Sequence, residues 1–350
     1  PRHEPAPGSR GKTIVNPARV RASMGTFWGL GSQDIWHMLL YTVRRLLSAV
    51  PTLLAVLTAI FFIIRIVPGD PAIAILGSSA SAAAIEALRE RLGLNEPLYM
   101  QYVGFLLGAL RGDLGLSLVS GKPVWEHLRN VLPYTIDLTI ASIIIGVVLG
   151  IPLGIVSALH RNSYADYVTR VMSLLGLSFP AFFTAILLIL AFSIGLGWFP
   201  VISEGDLKDP LDRLHNLALP ALSLGLLMVA YVTRATRSSM LEVLGEDYIR
   251  TARAKGLPER VIILYHALRN ALIPIITVIG LYLGILVGNS VLTEIVFSRP
   301  GLGKLIVGAL EERDYNTLQG LMVVYAFFII ITNLITDLTY GLSDPRVKYQ

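Results

Sequence analysis

Six long apolar runs, separated by polar segments, dominate the pattern along this chain. Each run approaches the roughly 20 residues with which an α-helix crosses about 30 Å of hydrocarbon. The fourth run is the shortest. The pattern therefore predicts an all-α membrane protein with six transmembrane helices. The runs occupy residues 46–64, 136–159, 171–195, 217–232, 272–291 and 318–338.

The polar segments predict how the chain is divided. About 70 residues follow the first run, and helix-like stretches at 80–92 and 100–110 flank a turn at 93–98, which predicts a small folded cap. The predicted units are a cytoplasmic N-terminal extension at 1–43, the first transmembrane helix with its external cap at 44–131, a core of five helices at 132–341 and a cytoplasmic tail at 342–350.

Lysine and arginine are distributed unevenly on the two sides of the predicted helices. If the N-terminus lies in the cytoplasm, the segments on that side hold 18 of the 29 lysines and arginines. Basic residues concentrate in the cytoplasmic loops of membrane proteins. The distribution thus predicts a multi-pass protein of the inner (plasma) membrane with both termini in the cytoplasm.

The composition is typical of a membrane protein and argues against a nucleic-acid partner. Charged residues make up 15% of the chain, against about 25% in a soluble domain, and the net charge of +5 is expected to meet anionic lipid. Arg65, Asp137, Glu294 and Asp337 lie near the ends of the runs, where we expect their side chains to reach water. Because ion-coupled carriers usually keep such groups deep within their helices, the energy source is expected in a partner.

Two of the predicted helices carry a glycine at every fourth position. A face of this kind lets another helix approach closely, so these helices are expected to pack together. The glycines are Gly146, Gly150 and Gly154 in the second run and Gly280, Gly284 and Gly288 in the fifth. Pro152, Pro180 and Pro220 lie in or at the second, third and fourth runs, where each can kink its helix.

The connection between the fourth and fifth runs, at about 236–270, has the most informative local pattern. Glu246 and Asp247 open a helix-favouring stretch, at the end where the helix dipole favours acids. Gly256 suits the left-handed position that ends a helix, and Pro258 suits the first turn of the next. The pattern predicts two short helices that meet at a sharp corner, which we expect to seat in a nucleotide-driven partner and to pass its motion to the flanking runs.

This corner resembles the cytoplasmic signature of the permease subunits of type I ABC importers. The general signature matches at Ala252, Gly256 and Pro274 and departs at Arg250 and Thr251. The departures are similar to the peptide branch of that family, whose version matches at Tyr248, Thr251, Ala252, Arg253, Ala254, Lys255, Gly256, Leu257, His266, Arg269, Asn270 and Ala271. Other matching stretches at 65–71, 91–97, 112–117, 132–135 and 294–303 spread the resemblance over most of the chain.

The resemblance implies a MetI-like fold and one half of the pathway of a di- and oligopeptide importer that works by alternating access. A second, similar permease would pair with this chain, two ABC ATPase subunits would bind ATP and Mg²⁺ beneath it, and an external peptide-binding protein would deliver the cargo. The ATPase contact would comprise Tyr248, Thr251, Ala252, Arg253, Ala254, Lys255, Gly256, Leu257 and Pro258.

Other functions stay open at this point. The same architecture imports nickel, glutathione, haem or aminolevulinate in related systems. An ion-coupled secondary transporter and an intramembrane enzyme belong to different classes. The sequence does not identify the residues that line a substrate pathway.

We expect no cofactor, metal or catalytic site in this chain. The stretch from Gly8 to Thr13 superficially resembles a phosphate-binding loop, but Ala6 stands where that motif needs glycine. The six histidines show no pair at metal-ligand spacing, and the chain has no cysteine.

Overall fold

The computed structural model describes residues 32–66, 70–77, 79–91 and 93–343. The predicted extension is described only from Ser32, and residues 1–31 and the predicted tail from 344 lie outside this range. The described residues form helices joined by short connections, with one isolated bridge between Leu116 and Pro123. The helices are α1 (Ser32–Ile66), α2 (Pro71–Leu76), α3 (Ala82–Arg91), α4 (Leu98–Arg111), α5 (Val124–Leu159), α6 (Tyr164–Ser178), α7 (Ala181–Gly195), α8 (Pro210–Leu244), α9 (Asp247–Ala254), α10 (Glu259–Val296), α11 (Leu302–Glu311) and α12 (Tyr315–Ser343).

In the described part of the chain, five helices are long and apolar enough to cross a membrane singly. They are α1, α5, α8, α10 and α12, while α6 and α7 together qualify as a sixth, broken span. The prediction of an all-α protein with six spans is confirmed in this form. The prediction of one helix for the third span was wrong, because residues 171–195 are divided between α6 and α7.

Pro180 explains the break in the third span. The axes of α6 and α7 differ by 103°, far more than a kink. Phe179, the residue before the proline, is extended with φ −97° and ψ 129°, as expected where the proline ring clashes with a helical predecessor. The chain leaves α6 at this residue and restarts α7 in a new direction.

The helix α8 is more than twice as long as the apolar run that predicted it. The run at 217–232 is extended in both directions by turns that mix polar and apolar residues. In these added turns the side chains of Asn216, Thr236 and Ser239 are buried against other parts of the protein. α8 packs on α5, α6, α7 and α10, so it is the central helix of the bundle.

The first glycine row brings α5 and α8 together. A side chain at Gly146 would collide with Met228, one at Gly150 with Val232 and one at Gly154 with Thr236. Both sets of positions rise by four, so the two helices run parallel and their backbones are in close contact. Closely approaching helices gain extensive dispersion contacts that a larger residue would prevent.

The second glycine row is used only in part. A side chain at Gly280 would collide with Thr336 of α12, and Gly284 lies opposite Asn333, so α10 and α12 run antiparallel. A Cβ added at Gly288 would meet no atom within 4 Å in the part of the chain that the structure describes. Packing within this chain therefore does not explain Gly288, contrary to the expectation for the whole row.

The helices α2, α3 and α4 form the cap, between the end of α1 and the start of α5. Asp70 caps α2 through the backbone N–H of Ala72 and pairs with Arg89 of α3. Burial alone would raise the pKa of Asp70, but its hydrogen bonds with Arg89 and Ala72 bring it below the usual value. Because α5 starts at the cap and runs parallel to α8, the end of α8 and the following α9 lie at the opposite end of the bundle.

Candidate functional site

The corner, residues 247–258, is the ordered connection between α8 and α10. Thr251 donates its hydroxyl to the carbonyl oxygen of Asp247, which keeps this side chain within the helix surface. The helix α9 ends because Gly256 has φ +76°, a left-handed conformation that suits glycine. The Gly256 N–H donates to the carbonyl of Arg253 at 2.9 Å, which closes the turn.

An apolar contact holds α9 against the start of α10. The Ile249 side chain is fully buried and Ala252 is only 7% exposed. They belong to the same buried cluster as Ile262, Ala267 and Ala271 of α10. The hydrophobic effect therefore keeps this short helix in place, although eight residues alone form too short a helix to be stable in water.

Two polar contacts add to this apolar one. Asn270 donates its amide to the Tyr248 hydroxyl oxygen at 2.9 Å. Arg253 donates to the Glu259 carboxylate at 2.7 Å, and this hydrogen bond raises the pKa of Arg253. Since Tyr248 and Arg253 lie on α9 while their partners lie on α10, the two helices are joined along the whole length of α9.

The remaining residues of the corner present an exposed surface. Of the nine residues predicted to contact an ATPase, eight are exposed. They are Tyr248, Thr251, Arg253, Ala254, Lys255, Gly256, Leu257 and Pro258. Ala252 is the exception, since its side chain is buried in the apolar cluster that holds α9. A direct contact of the Ala252 side chain with a partner does not fit this geometry.

The second helix of the corner is also different from the expected one. Pro258 does not open a short helix, but stands just before Glu259, where the long α10 begins. The apolar residues after Glu259 let the helix continue, through a π-helical turn at Ile262–Ala267, as far as Val296. The corner is therefore one short helix bound to the first turns of a spanning helix.

A charge at Ala252 is expected to release α9. In the Ala252→Asp variant a carboxylate would have to enter the apolar contact, and an unsatisfied buried polar group costs roughly 1–3 kcal/mol. We expect trypsin to cleave the purified variant at Arg250, Arg253 and Lys255 about tenfold faster than the parent, because cleavage follows local unfolding.

Ala254→Asp is the matched control for Ala252→Asp. Ala254 belongs to the same helix but is exposed, so its carboxylate remains in water and the cleavage rate should not change. Equal rates for the two variants would show that the Ala252 side chain does not hold the corner.

A buried ion pair lies near the same end of the bundle. Asp166 of α6 is fully buried and accepts two hydrogen bonds from Arg237 of α8, at 2.7 and 2.9 Å. It also accepts one from Ser157 of α5 at 2.6 Å and one from the backbone N–H of Asn162 at 3.0 Å. This carboxylate joins three helices two turns before α8 reaches the corner. Its importance was not predicted from the sequence.

At the cap end, the Glu294 side chain does not reach water, contrary to the expectation from the sequence. Its side chain is fully buried at the end of α10. It accepts hydrogen bonds from the Thr135 hydroxyl at 2.6 Å and from the backbone N–H of Gly303 at 2.8 Å. The reason is that α11 starts at Leu302 with free N–H groups, and a carboxylate near them satisfies those donors and suits the helix dipole.

Arg299 is a second buried charge at the cap end. It is 1% exposed, lies over the ring of Tyr134 at 5.0 Å and forms a 3.9 Å ion pair with Asp137 of α5. Arg213 of α8 forms a close two-bond ion pair with the same carboxylate. Asp137 thus connects α5, α8 and the loop after α10. The sequence placed Asp137 near a helix end without showing its partners.

The part of the chain that the structure describes holds no metal site beside these contacts. Among the residues that the structure describes, no group of three or more histidines, acids or cysteines is arranged to hold a metal ion. The buried acids Asp166 and Glu294 have their hydrogen bonds satisfied by the protein itself. Their arrangement joins helices and does not present a reactive group to a ligand.

Comparisons with known protein families agree with this architecture. Residues 150–349 match the family described as "Binding-protein-dependent transport system inner membrane component". Residues 38–139 match the corresponding N-terminal family, "Binding-prot-dependent transport system membrane comp, N-term". Together these two matches cover most of the chain.

Individual relatives and solved structures support the same assignment. The chain is 43% identical to "Dipeptide transport system permease protein DppB" of Alkalihalophilus pseudofirmus and 41% identical to "Glutathione transport system permease protein GsiC" of Escherichia coli K12, in each case over 89% of this chain and 100% of the relative. An inward-facing MetNI methionine ABC transporter shares the fold at 18% identity, with a TM-score of 0.52 over 62% of this chain and 96% of the solved one. This chain therefore belongs to the binding-protein-dependent transport system inner membrane components, the permease subunits of type I ABC importers, within their dipeptide branch.

Proposed function

We propose that this permease forms one half of a translocation pathway for short peptides and is driven by ATP hydrolysed in separate subunits. The observation that carries the proposal is the corner, an exposed surface fixed rigidly to two long helices. The Ile249 contact and the Arg253–Glu259 bond fix α9 to α10, and only Gly245 and Glu246 separate α9 from α8.

This geometry supports the transmission of motion from an ATPase. A partner that displaces α9 has to displace the first turns of α10 with it, because the apolar contact would otherwise open. It also displaces the end of α8, which packs on α5, α6 and α7. Packed helices move as rigid bodies between discrete arrangements, so a displacement of the corner would tilt the centre of the bundle and alternate the access to its two sides.

The partners and the orientation follow from the same proposal. Two ATPase subunits would dock on the cytoplasmic face, one of them at this corner, which places both termini of this chain in the cytoplasm. A second, similar permease would complete the pathway, and an external peptide-binding protein would approach the cap end. The distribution of lysine and arginine supports this orientation.

The proposed cargo is a short peptide. The two relatives are named for dipeptide and glutathione transport, at 43% and 41% identity. Glutathione is itself a tripeptide, so both names share one cargo chemistry. We propose no cofactor or catalytic site in this chain, and ATP and Mg²⁺ would bind to the partner subunits.

Uptake by proteoliposomes that contain the assembled importer tests the proposal. We expect labelled dipeptide to enter only when the binding protein is outside and ATP is available to the ATPase subunits. The permease pair without ATPase subunits should give no uptake, with or without a proton gradient. Uptake driven by the gradient alone would show a secondary transporter instead. Competition by unlabelled glutathione and by unlabelled dipeptides distinguishes the two cargoes.

A further inference from the structure

The helix α4 in the cap is unusually apolar for a segment that connects two spans. Its residues 98–110 include no charged side chain, and the first charge is Arg111 at its end. An exposed apolar row runs along it at Tyr99, Val103, Leu107 and Leu110, and Leu110 is 83% exposed. A helix that is apolar on every side is typical of a buried or membrane-embedded position. The neighbouring α3, by contrast, is rich in charge.

Contacts with α1 fix the depth at which α4 lies. Gln101 accepts hydrogen bonds from the guanidinium of Arg65, in the last turn of α1, at 3.0 and 3.2 Å. Tyr102 reaches further along α1 and forms a 2.6 Å hydrogen bond with Thr58. Its ring and that of Phe105 also lie against Phe61.

These contacts place α4 beside α1 and not above it. Thr58 stands eight residues before Ile66, the last residue of the apolar span, which is about 12 Å at 1.5 Å per residue. A helix on top of the span would contact only its final turn. Three residues after the end of α4, Leu114 lies against Gly320 in the second turn of α12. The segment from Gln101 to Leu114 is thus fixed against the sides of two spanning helices.

We propose that α4 lies in the boundary of the bilayer and that its exposed row faces lipid. On α1, Phe62 and Ile63 are exposed as well, and the Phe62 ring stacks on that of Tyr102 of α4. Because α1 is long and apolar enough to cross a membrane, its exposed side chains are expected to contact lipid, and a helix bound to its side would contact the same lipid. An interfacial helix of this kind buries its apolar face by about 5–10 Å, and Tyr99 suits the level of the headgroups.

Single cysteines test the proposal directly, because the chain has none of its own. Spin labels at Val103→Cys and Leu107→Cys would be measured in the assembled importer in lipid nanodiscs, by collision with oxygen and with a water-soluble nickel chelate. The controls are Ile63→Cys, on the lipid-exposed side of α1, and Glu90→Cys, exposed on the charged α3.

The expected result is a lipid-like environment at both test positions. The oxygen-to-nickel ratio at Val103 and Leu107 should be within about twofold of that at Ile63 and at least about fivefold above that at Glu90. A ratio like that of Glu90 would show that the row faces water. Weak collision with both reagents would show that a protein partner covers it, and either result would overturn the proposal. The measurement needs no transport, so it is independent of the proposed function.

Discussion

Replacing Gly256 with proline is expected to abolish uptake while the permease still enters the membrane. Gly256 has φ +76° and its N–H donates to Arg253. Proline requires φ near −65° and has no N–H, so it can neither adopt this left-handed conformation nor close the turn. The end of α9 would have to rearrange, so the exposed surface would lose its position on α10. We expect uptake by the assembled importer to fall at least about tenfold.

Gly256→Asn is the matched control for the proline variant. Asparagine visits the left-handed region more readily than other non-glycine residues, and no atom lies within 4 Å of the position that its Cβ would occupy. This variant should keep most of the uptake. If the proline variant transports like the parent, or if the asparagine variant is as inactive as the proline variant, the left-handed turn is not what positions the corner.

Removing the Asp166 carboxylate is expected to give the largest loss of stability. Asp166→Ala would leave the Arg237 guanidinium, which is only 22% exposed, without its two hydrogen bonds. Breaking a buried ion pair by removing one partner typically costs about 3–5 kcal/mol. The purified variant should unfold at a clearly lower temperature than the parent in the same detergent, since α5, α6 and α8 all contribute to this cluster.

Two further variants separate the ion pair from a general effect of mutation. The double variant Asp166→Ala, Arg237→Met removes the Asp166–Arg237 pair and should recover much of the loss, because Arg170, the other cation beside Asp166, is 51% exposed and stays in contact with water. Glu126→Ala breaks an exposed pair with Lys122 and should change stability by less than about 1 kcal/mol. If the double variant is no more stable than Asp166→Ala, the pairing of the two charges does not account for the loss.

The spanning helices were predictable because lipid imposes a simple rule on sequence. Backbone groups in hydrocarbon must be satisfied within the helix, so each span is a long apolar run. This rule locates the spans in α5 and α10, although both helices extend beyond their apolar runs. It underestimated α8, because the polar residues at its two ends are buried by other helices and not by lipid.

The turn chemistry of the corner was also predictable, whereas its packing was not. Gly256 has the left-handed conformation that its place after a helix-favouring stretch indicates. The burial of Ala252 depends on which face of α9 the rest of the protein covers. The local sequence does not indicate this face, and only the folded structure shows it. In the same way, Pro180 indicated a kink, but the 103° change of direction depends on packing against α8.

The buried charges escaped prediction for a related reason. Asp166 lies in a polar connection of the sequence, and Glu294 lies at the end of an apolar run, so both are in places where water is the ordinary neighbour. Their partners Arg237 and Thr135 are 71 and 159 residues away along the chain. No local pattern signals contacts of that separation.

Cross-linking at the tip of the corner tests the central claim most directly. A photoreactive label on Lys255→Cys, in a chain that otherwise has no cysteine, would be activated in the assembled importer. The control is Trp198→Cys, which is exposed in the connection between α7 and α8. We predict an adduct between the Lys255 label and an ATPase subunit, and no such adduct from the Trp198 label. An active importer in which the Lys255 label never reaches an ATPase subunit would contradict the account.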